Sequence, residues 1–322
     1  MQSTLVLLVL AVALATAPAA LAATESKVKT ETTPFIRGHA AFDNMRLDPK
    51  GRFIAFTSTD AGTGQGLSVV DTKTQSIFKV SGQRVGASFF WSPDGFRLFY
   101  RELIKTRAGK IESHVKAYDT ALGRSVTLDR LKLPTGFLTF DPRDLRMQLM
   151  SAGGVHTKRI YFPDERLARW QIAQRTENGK FLATQSGVLW LTQGGMSVRR
   201  LDDDGSKLQA FDISPDGTTI AWATEKSAIY TSKNGKTPKF LAHGRDPQWH
   251  PEKPLLLFAG ARMVGNKAVS FDLKVSDLKS GGRFLTTTQH VDERWPQWHP
   301  KGLQVLYTLA KTTDVYLLDF KQ

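Results

Sequence analysis

Cysteine is absent from the 322 residues. Its absence excludes disulfides, thiolate nucleophiles, cysteine-based zinc and iron–sulfur sites and a thioether-linked lipid anchor. Long apolar runs are also scarce. After residue 22 no stretch reaches the roughly 18 continuous apolar residues of a spanning helix. Proline and glycine, at 14 and 26, are too few for a low-complexity or collagen-like chain. Negative charge is in deficit, with 30 Asp and Glu against 44 Lys and Arg, for a formal charge of +14. What remains is an ordinary globular balance of 41% hydrophobic, 23% charged and 10% aromatic residues, which supplies a core and argues against disorder. Length alone suggests about two domains.

Residues 1–22 carry no charge, and Leu5 to Ala15 form a continuous apolar run. Small residues and Pro18 end it, and Ala20-Leu21-Ala22 is an A-x-A cleavage site. The segment reads as a secretory signal peptide, though its amino end lacks the usual basic residues. Residues 23–32 then form a polar linker, and residues 33–322 are left for folding. The chain is therefore expected to be exported, to the periplasm or beyond. There a basic protein meets anionic envelope polymers, phospholipid headgroups or acidic protein surfaces, and nucleic acid is not an expected partner. The cations are dispersed. Even Arg101 to Lys132 is interleaved with Glu102, Glu112, Asp119 and Asp129.

Internal repetition decides the fold class. Trp91-Ser92-Pro93-Asp94-Gly95 is followed by Leu98-Phe99-Tyr100, and Ile213-Ser214-Pro215-Asp216-Gly217 by Ile220-Ala221-Trp222. Leu47-Asp48-Pro49-Lys50-Gly51 is a third copy. Gln248-Trp249-His250-Pro251 and Gln297-Trp298-His299-Pro300 place His at the Ser position. Phe140-Asp141-Pro142 and Glu177-Asn178-Gly179 are weaker copies. The turns fall at 49, 93, 142, 178, 215, 251 and 300, a spacing of about 42 residues and a propeller-blade period. Pro presets the turn, Asp or Asn tolerates the left-handed region and Gly supplies positive φ. Each copy is thus the inner hairpin of a blade. The expected fold is all-β: a seven-bladed β-propeller of four-stranded antiparallel blades, without room for a second domain. The last copy has three strands before the C-terminus, so Thr33 to Gly38 is expected to add the fourth and close the ring.

These motifs resemble the TolB-type, WD40-like propeller repeat family, across essentially all of the mature chain. The resemblance implies an envelope propeller engaged in protein–protein contacts, with a peptidoglycan-associated lipoprotein as the type of partner. TolB itself carries an α/β domain before a six-bladed propeller, and this chain departs from it on both counts. Related repeats occur in propellers attached to prolyl-oligopeptidase-like hydrolases and in seven-bladed oligogalacturonate lyases, so fold leaves function open.

Chemistry-bearing motifs are few. No G-x-S-x-G or H-E-x-x-H occurs. His250 and His299 occupy equivalent turns, and Asp202-Asp203-Asp204-Gly205 lacks the spacing of a calcium loop, so no metal or other cofactor is expected. The informative positions precede the inner strands, where loops meet at one face of the ring. They are Asp43, Asn44 and Arg46; Arg84; Arg245 and Asp246; and His290, Asp292, Glu293 and Arg294. Mixed charge beside Phe42 and Trp295 suits a protein-binding rim around an aromatic anchor. The expected activity is that of a monomeric, non-catalytic scaffold for an envelope protein or lipoprotein. The alternative is a lyase-like enzyme using the same mouth on a polyanionic sugar, with Arg and His on a carboxylate.

Overall fold

The structure, a computed structural model, describes residues 30–37, 44–60, 64–82, 84–132, 135–141, 146–151, 154–159, 171–172, 180–185, 188–193, 196–200, 206, 208–279, 281–288, 291–310 and 312–320. Among these residues every regular element is a strand, and every pairing is antiparallel. No helix among them is long and apolar enough to cross a membrane.

Strand β1 (Thr30–Ile36) comes first. Sheet I is β2 (Asn44–Leu47), β3 (Phe53–Asp60), β4 (Gly64–Asp71) and β5 (Ile77–Ser81). Sheet II is β6 (Arg84–Trp91), β7 (Arg97–Lys105), β8 (Ile111–Asp119) and β9 (Arg124–Lys132). Sheet III is β10 (Thr135–Asp141), β11 (Arg146–Ser151), β12 (Gly154–Arg159) and β13 (Gln171–Ile172). Sheet IV, which holds the weakest sequence copy, has three strands among the described residues: β14 (Lys180–Gln185), β15 (Val188–Gln193) and β16 (Met196–Arg200). Its turn at Asn178 lies outside the described residues. Next come β17 (Leu208–Ile213), β18 (Thr219–Thr224), β19 (Ala228–Lys233), β20 (Lys239–Trp249), β21 (Leu256–Val264), β22 (Lys267–Ser276) and β23 (Arg283–Phe284). The last sheet combines β24 (Glu293–His299), β25 (Gln304–Leu309) and β26 (Val315–Phe320) with β1.

Strands β17 to β23 form one continuous sheet because β20 serves twice. Residues 239–243 pair with β19, and residues 244–249 pair with β21. We call the two halves sheets V and VI, and the last sheet VII. Gly244 sits at the junction, where a Cβ would lie 2.6 Å from the Ala259 carbonyl oxygen. Only glycine lets the two backbones approach this closely. In sheet VII, β1 pairs with β26 from Thr30–Phe320 to Ile36–Val315. The pairing strand begins three residues before the expected Thr33 start, and Gly38 lies outside the described residues.

Sheets I to IV stack in chain order, as do V, VI, VII and I. Successive β3 residues turn to opposite neighbours: Ile54 and Phe56 pack with Ile36, Leu306 and Val315 of sheet VII, while Ala55 packs with Val85, Phe89 and Trp91 of sheet II. Period two in a strand buried on both faces explains why these strands read as nearly continuous apolar runs. The same layering joins V to VI through Trp249 and Phe258, and VI to VII through Leu273 and Trp298. First strands lie beside first strands: β24 by β2, β2 by β6, β6 by β10, β10 by β14, β17 by β20 and β20 by β24.

The repeated turns explain their own residue choices. Ser92 Oγ accepts from the Arg97 backbone N–H at 3.0 Å, and Ser214 Oγ from that of Thr219 at 2.9 Å. Asp48 does the same work with two oxygens, for Phe53 N–H at 2.6 Å and Lys50 N–H at 2.9 Å. His250 Nδ1 accepts from Glu252 and Lys253, both at 3.0 Å, and His299 Nδ1 from Lys301 at 3.2 Å. Ser, Asp and His share one property here, a buried acceptor for turn N–H groups. Burial lowers the pKa of both histidines, which keeps Nδ1 free to accept. Replacing His250 with Ala is expected to cost about 1–2 kcal/mol, because two amides lose their acceptor. His250→Ser should recover part of that, since Ser fills the same role at 92 and 214. Urea unfolding of the three proteins checks the order.

Candidate functional site

At one end of the stack the first strands of sheets VI and VII repeat a local device. Register slips between Arg245 and Gln248, and again between Arg294 and Gln297. The residue before each proline takes positive φ, Asp246 at 56° and Trp295 at 53°. Positive φ is costly for non-glycine residues, and proline next in line disfavours it further. Such bulges re-aim side chains, and strain of this kind concentrates at binding sites.

Arg245 and Arg294 are the side chains so placed. The Arg294 Nε–H donates to Asp246 Oδ2 at 3.3 Å, and the Trp295 backbone N–H donates to the same oxygen at 3.3 Å. Asp246 is buried, so this acceptor is fixed. The Arg294 guanidinium also lies 5.0 Å from the Trp295 ring centroid. Arg245 stands over Phe271, 3.3 Å from its centroid, and its buried Nε makes no hydrogen bond among the described residues. Burial, and next the Arg294 charge, lower the Arg245 pKa to about 10, against the opposing pull of Asp246 and Asp292. Two guanidiniums, one buried carboxylate and one indole therefore form a rigid cationic and aromatic patch.

The other sequence candidates are dispersed. Asn44 begins β2 half-buried, and Arg84 begins β6 exposed. Asp292 is half-buried, and its carbonyl accepts from Ala310 N–H at 2.7 Å. Asp43 and His290 lie outside the described residues. Two residues expected on the rim sit elsewhere. Arg46 is midway along β2 and lines a cavity of about 300 Å³ at the turn end, with Asp48, Gln248, Gln297 and Trp298. Burial lowers its pKa and raises that of Asp212, while each charge partly offsets the other's shift. Asp212 keeps some solvent contact but is walled by protein, and its Oδ2 accepts from Trp249 N–H at 2.7 Å.

Glu293 is the second departure, with no exposed surface at all. Its Oε2 accepts from Leu273 N–H at 2.7 Å and from the Thr286 hydroxyl, and Thr288 Oγ1 lies 3.2 Å from Oε1. Thr288 also donates to Asp272 Oδ1 through its N–H at 2.8 Å and its hydroxyl at 3.0 Å, and Arg262 pairs with Asp272 Oδ2. Burial raises the Glu293 pKa to about 7, and the Asp272 charge adds to that. Sequence reading missed Asp272, Thr286 and Thr288. A lone Asp within the apolar run Phe271-Asp272-Leu273 was the available signal. Among the described residues, no three His, Asp or Glu side chains converge as metal ligands would.

No family model matches the chain, and no curated protein matches it by sequence. Solved structures match it in shape. One is the crystal structure of the β-propeller domain of Cps50 (Swd1) from Myceliophteria thermophila, with a TM-score of 0.57 and 12% sequence identity, over 90% of this chain and 99% of that chain. At that identity the likeness concerns fold alone, and it agrees with the stacked antiparallel sheets: this chain is a β-propeller.

Proposed function

We propose that the chain is an exported, monomeric, non-catalytic propeller of the TolB type, and that it binds a protein partner in the cell envelope. In this reading the sheets I to VII are seven blades, and β1 closes the ring by pairing with β26. The leader at residues 1–22 directs export, to the periplasm in the first instance. The observation that carries the binding role is the pair of strained bulges that present Arg245 and Arg294 with Trp295. Strain held by buried hydrogen bonds organises a surface before a partner arrives. Arginine and tryptophan are the residues that dominate binding energy at protein interfaces.

The test is retention of a partner from solubilised envelope extract, washed at low and at high salt. The wild type should hold a discrete protein through the high-salt wash. Arg294→Ala should lose it at least about tenfold, as an interface anchor does, while circular dichroism at the assay temperature matches wild type. Retention by Arg294→Ala equal to wild type would remove the rim from the binding surface. Turnover of a polyuronide by the purified chain would sink the non-catalytic reading.

A further inference from the structure

We propose that two hairpins projecting from the rim end of the propeller dock on an anionic phospholipid surface. Strand register locates them. Arg84, the first residue of β6, pairs with Leu103, and β7 runs on to Lys105. Gly244 pairs with Gly260, and β21 runs on to Val264. At the rise of an extended strand the two tips stand about 7 Å and about 13 Å beyond those pairs. Sheets V and VII do not project in this way. Leu208 pairs with Thr224 at the end of β18, and Glu293 pairs with Leu309 at the end of β25.

The tips share a chemistry. The β7–β8 tip reads Lys105-Thr106-Arg107-Ala108-Gly109-Lys110-Ile111, three cations without a carboxylate. Its turn is held by Thr106 N–H to the Lys110 carbonyl at 2.7 Å, and Ile111 is 50% exposed. The β21–β22 tip exposes Val264 at 67% and Val269 at 55%, with Lys267 between them. No ion pair engages Lys105, Arg107, Lys110 or Lys267 among the described residues. The other large exposed apolar side chains behave differently. Phe96 and Leu122 lie at turns of the opposite end, while Ile77, Phe78, Val126 and Phe240 lie on outer strands. The β3–β4 hairpin also projects, but it carries Asp60 and no large apolar residue at its tip.

Geometry favours a lipid surface over a protein. A protein interface needs a contiguous apolar centre. Here the apolar residues stand apart on sheets II and VI, with sheets VII and I between them. A fluid plane meets both tips at once, takes aliphatic side chains at the headgroup boundary and offers phosphates to the lysines. The formal charge of +14 adds long-range attraction to such a surface.

Vesicle co-sedimentation of the purified chain tests this, without any protein partner. Binding is expected to vesicles of phosphatidylcholine with phosphatidylglycerol, and not to phosphatidylcholine alone. Each of K105Q, R107Q, K110Q and K267Q should weaken binding about fivefold. The triple variant I111S/V264S/V269S should weaken it at least about tenfold, and most at high salt. These residues are exposed tips, so circular dichroism and unfolding midpoints should match wild type. Failure to bind the anionic vesicles would overturn the proposal. So would binding that neither set of variants alters. Displacement of the chain by soluble polygalacturonate, with the apolar variant unaffected, would assign the tips to an anionic polymer instead. The rim reading stands or falls separately, since Arg245 and Arg294 are untouched in every variant.

Discussion

Trp91→Ala is expected to destabilise the protein by about 3–5 kcal/mol, the range for deleting a large buried aromatic side chain. Trp91 is 7% exposed and joins a cluster drawn from sheets I and II, stacking on Phe53 with centroids 6.2 Å apart. Its Nε1–H also donates to the Arg46 carbonyl at 3.0 Å, across the sheet boundary. Trp298 repeats the device toward the Gln248 carbonyl at 3.2 Å. Trp249 stands at the equivalent position, but its buried Nε1 makes no hydrogen bond among the described residues. Phenylalanine substitutions separate packing from hydrogen bonding. Trp91→Phe should cost about 1–3 kcal/mol beyond the change in packing, because the Arg46 carbonyl loses its donor. Trp249→Phe removes an unsatisfied donor and should cost clearly less. Denaturant unfolding of the two variants gives the comparison. Equal losses would show that the indole N–H contributes nothing between sheets.

The repeat made the architecture legible because turn chemistry is local. Pro, Asp and Gly at fixed offsets mark a hairpin whatever surrounds it, and the strands around Trp91, Ile213, Trp249 and Trp298 fall where those turns place them. Three features were less legible. The β20 strand passes from one sheet to the next without a loop, so no turn residue marks the boundary. Only Gly244 does, through a contact with Ala259 that is remote in sequence. Pairing of β1 with β26 follows from an unsatisfied edge, but its start depends on register, which a polar segment specifies weakly. The fourth copy had lost its proline, and its sheet has three strands among the described residues.

The site was legible in composition more than in orientation. Asp246 and Arg294 do lie together, joined by the Asp246 carboxylate, and Arg245 feels the charge of both. Alternation along a strand could not place Arg46 or Glu293, because each first strand lies between neighbouring sheets and neither of its faces is plainly the outer one. Glu293 and Arg294 precede their bulge and alternate regularly: the carboxylate is fully enclosed while the guanidinium reaches the rim.

Glu293 gives the second large expected effect, a stability that falls as pH rises. Its pKa is about 7 in the folded protein, against 4.5 for an ordinary glutamate. Below pH 4.5 both states hold the proton, and above pH 7 both release it. Between these values the folded state binds the proton that the unfolded state gives up, so stability decreases across the window. The total loss is about 3 kcal/mol on that shift. In the protonated form Oε1–H can donate to Thr288 Oγ1, which donates on to Asp272, while Oε2 keeps Leu273 N–H and Thr286. Glutamine reproduces this pattern at every pH. Glu293→Gln should therefore match wild type near pH 4.5 and exceed it increasingly up to pH 7, with a constant difference beyond. Other groups titrate in the same range, among them His250 and His299, whose lowered pKa values make stability rise with pH. They contribute equally to both proteins, so the difference between the two unfolding curves isolates residue 293. A difference that is flat with pH would show that Glu293 is ionised in the folded protein throughout. In that case Arg262, through Asp272, compensates a second buried charge, and Arg262→Gln should then lower stability more at pH 8 than at pH 5.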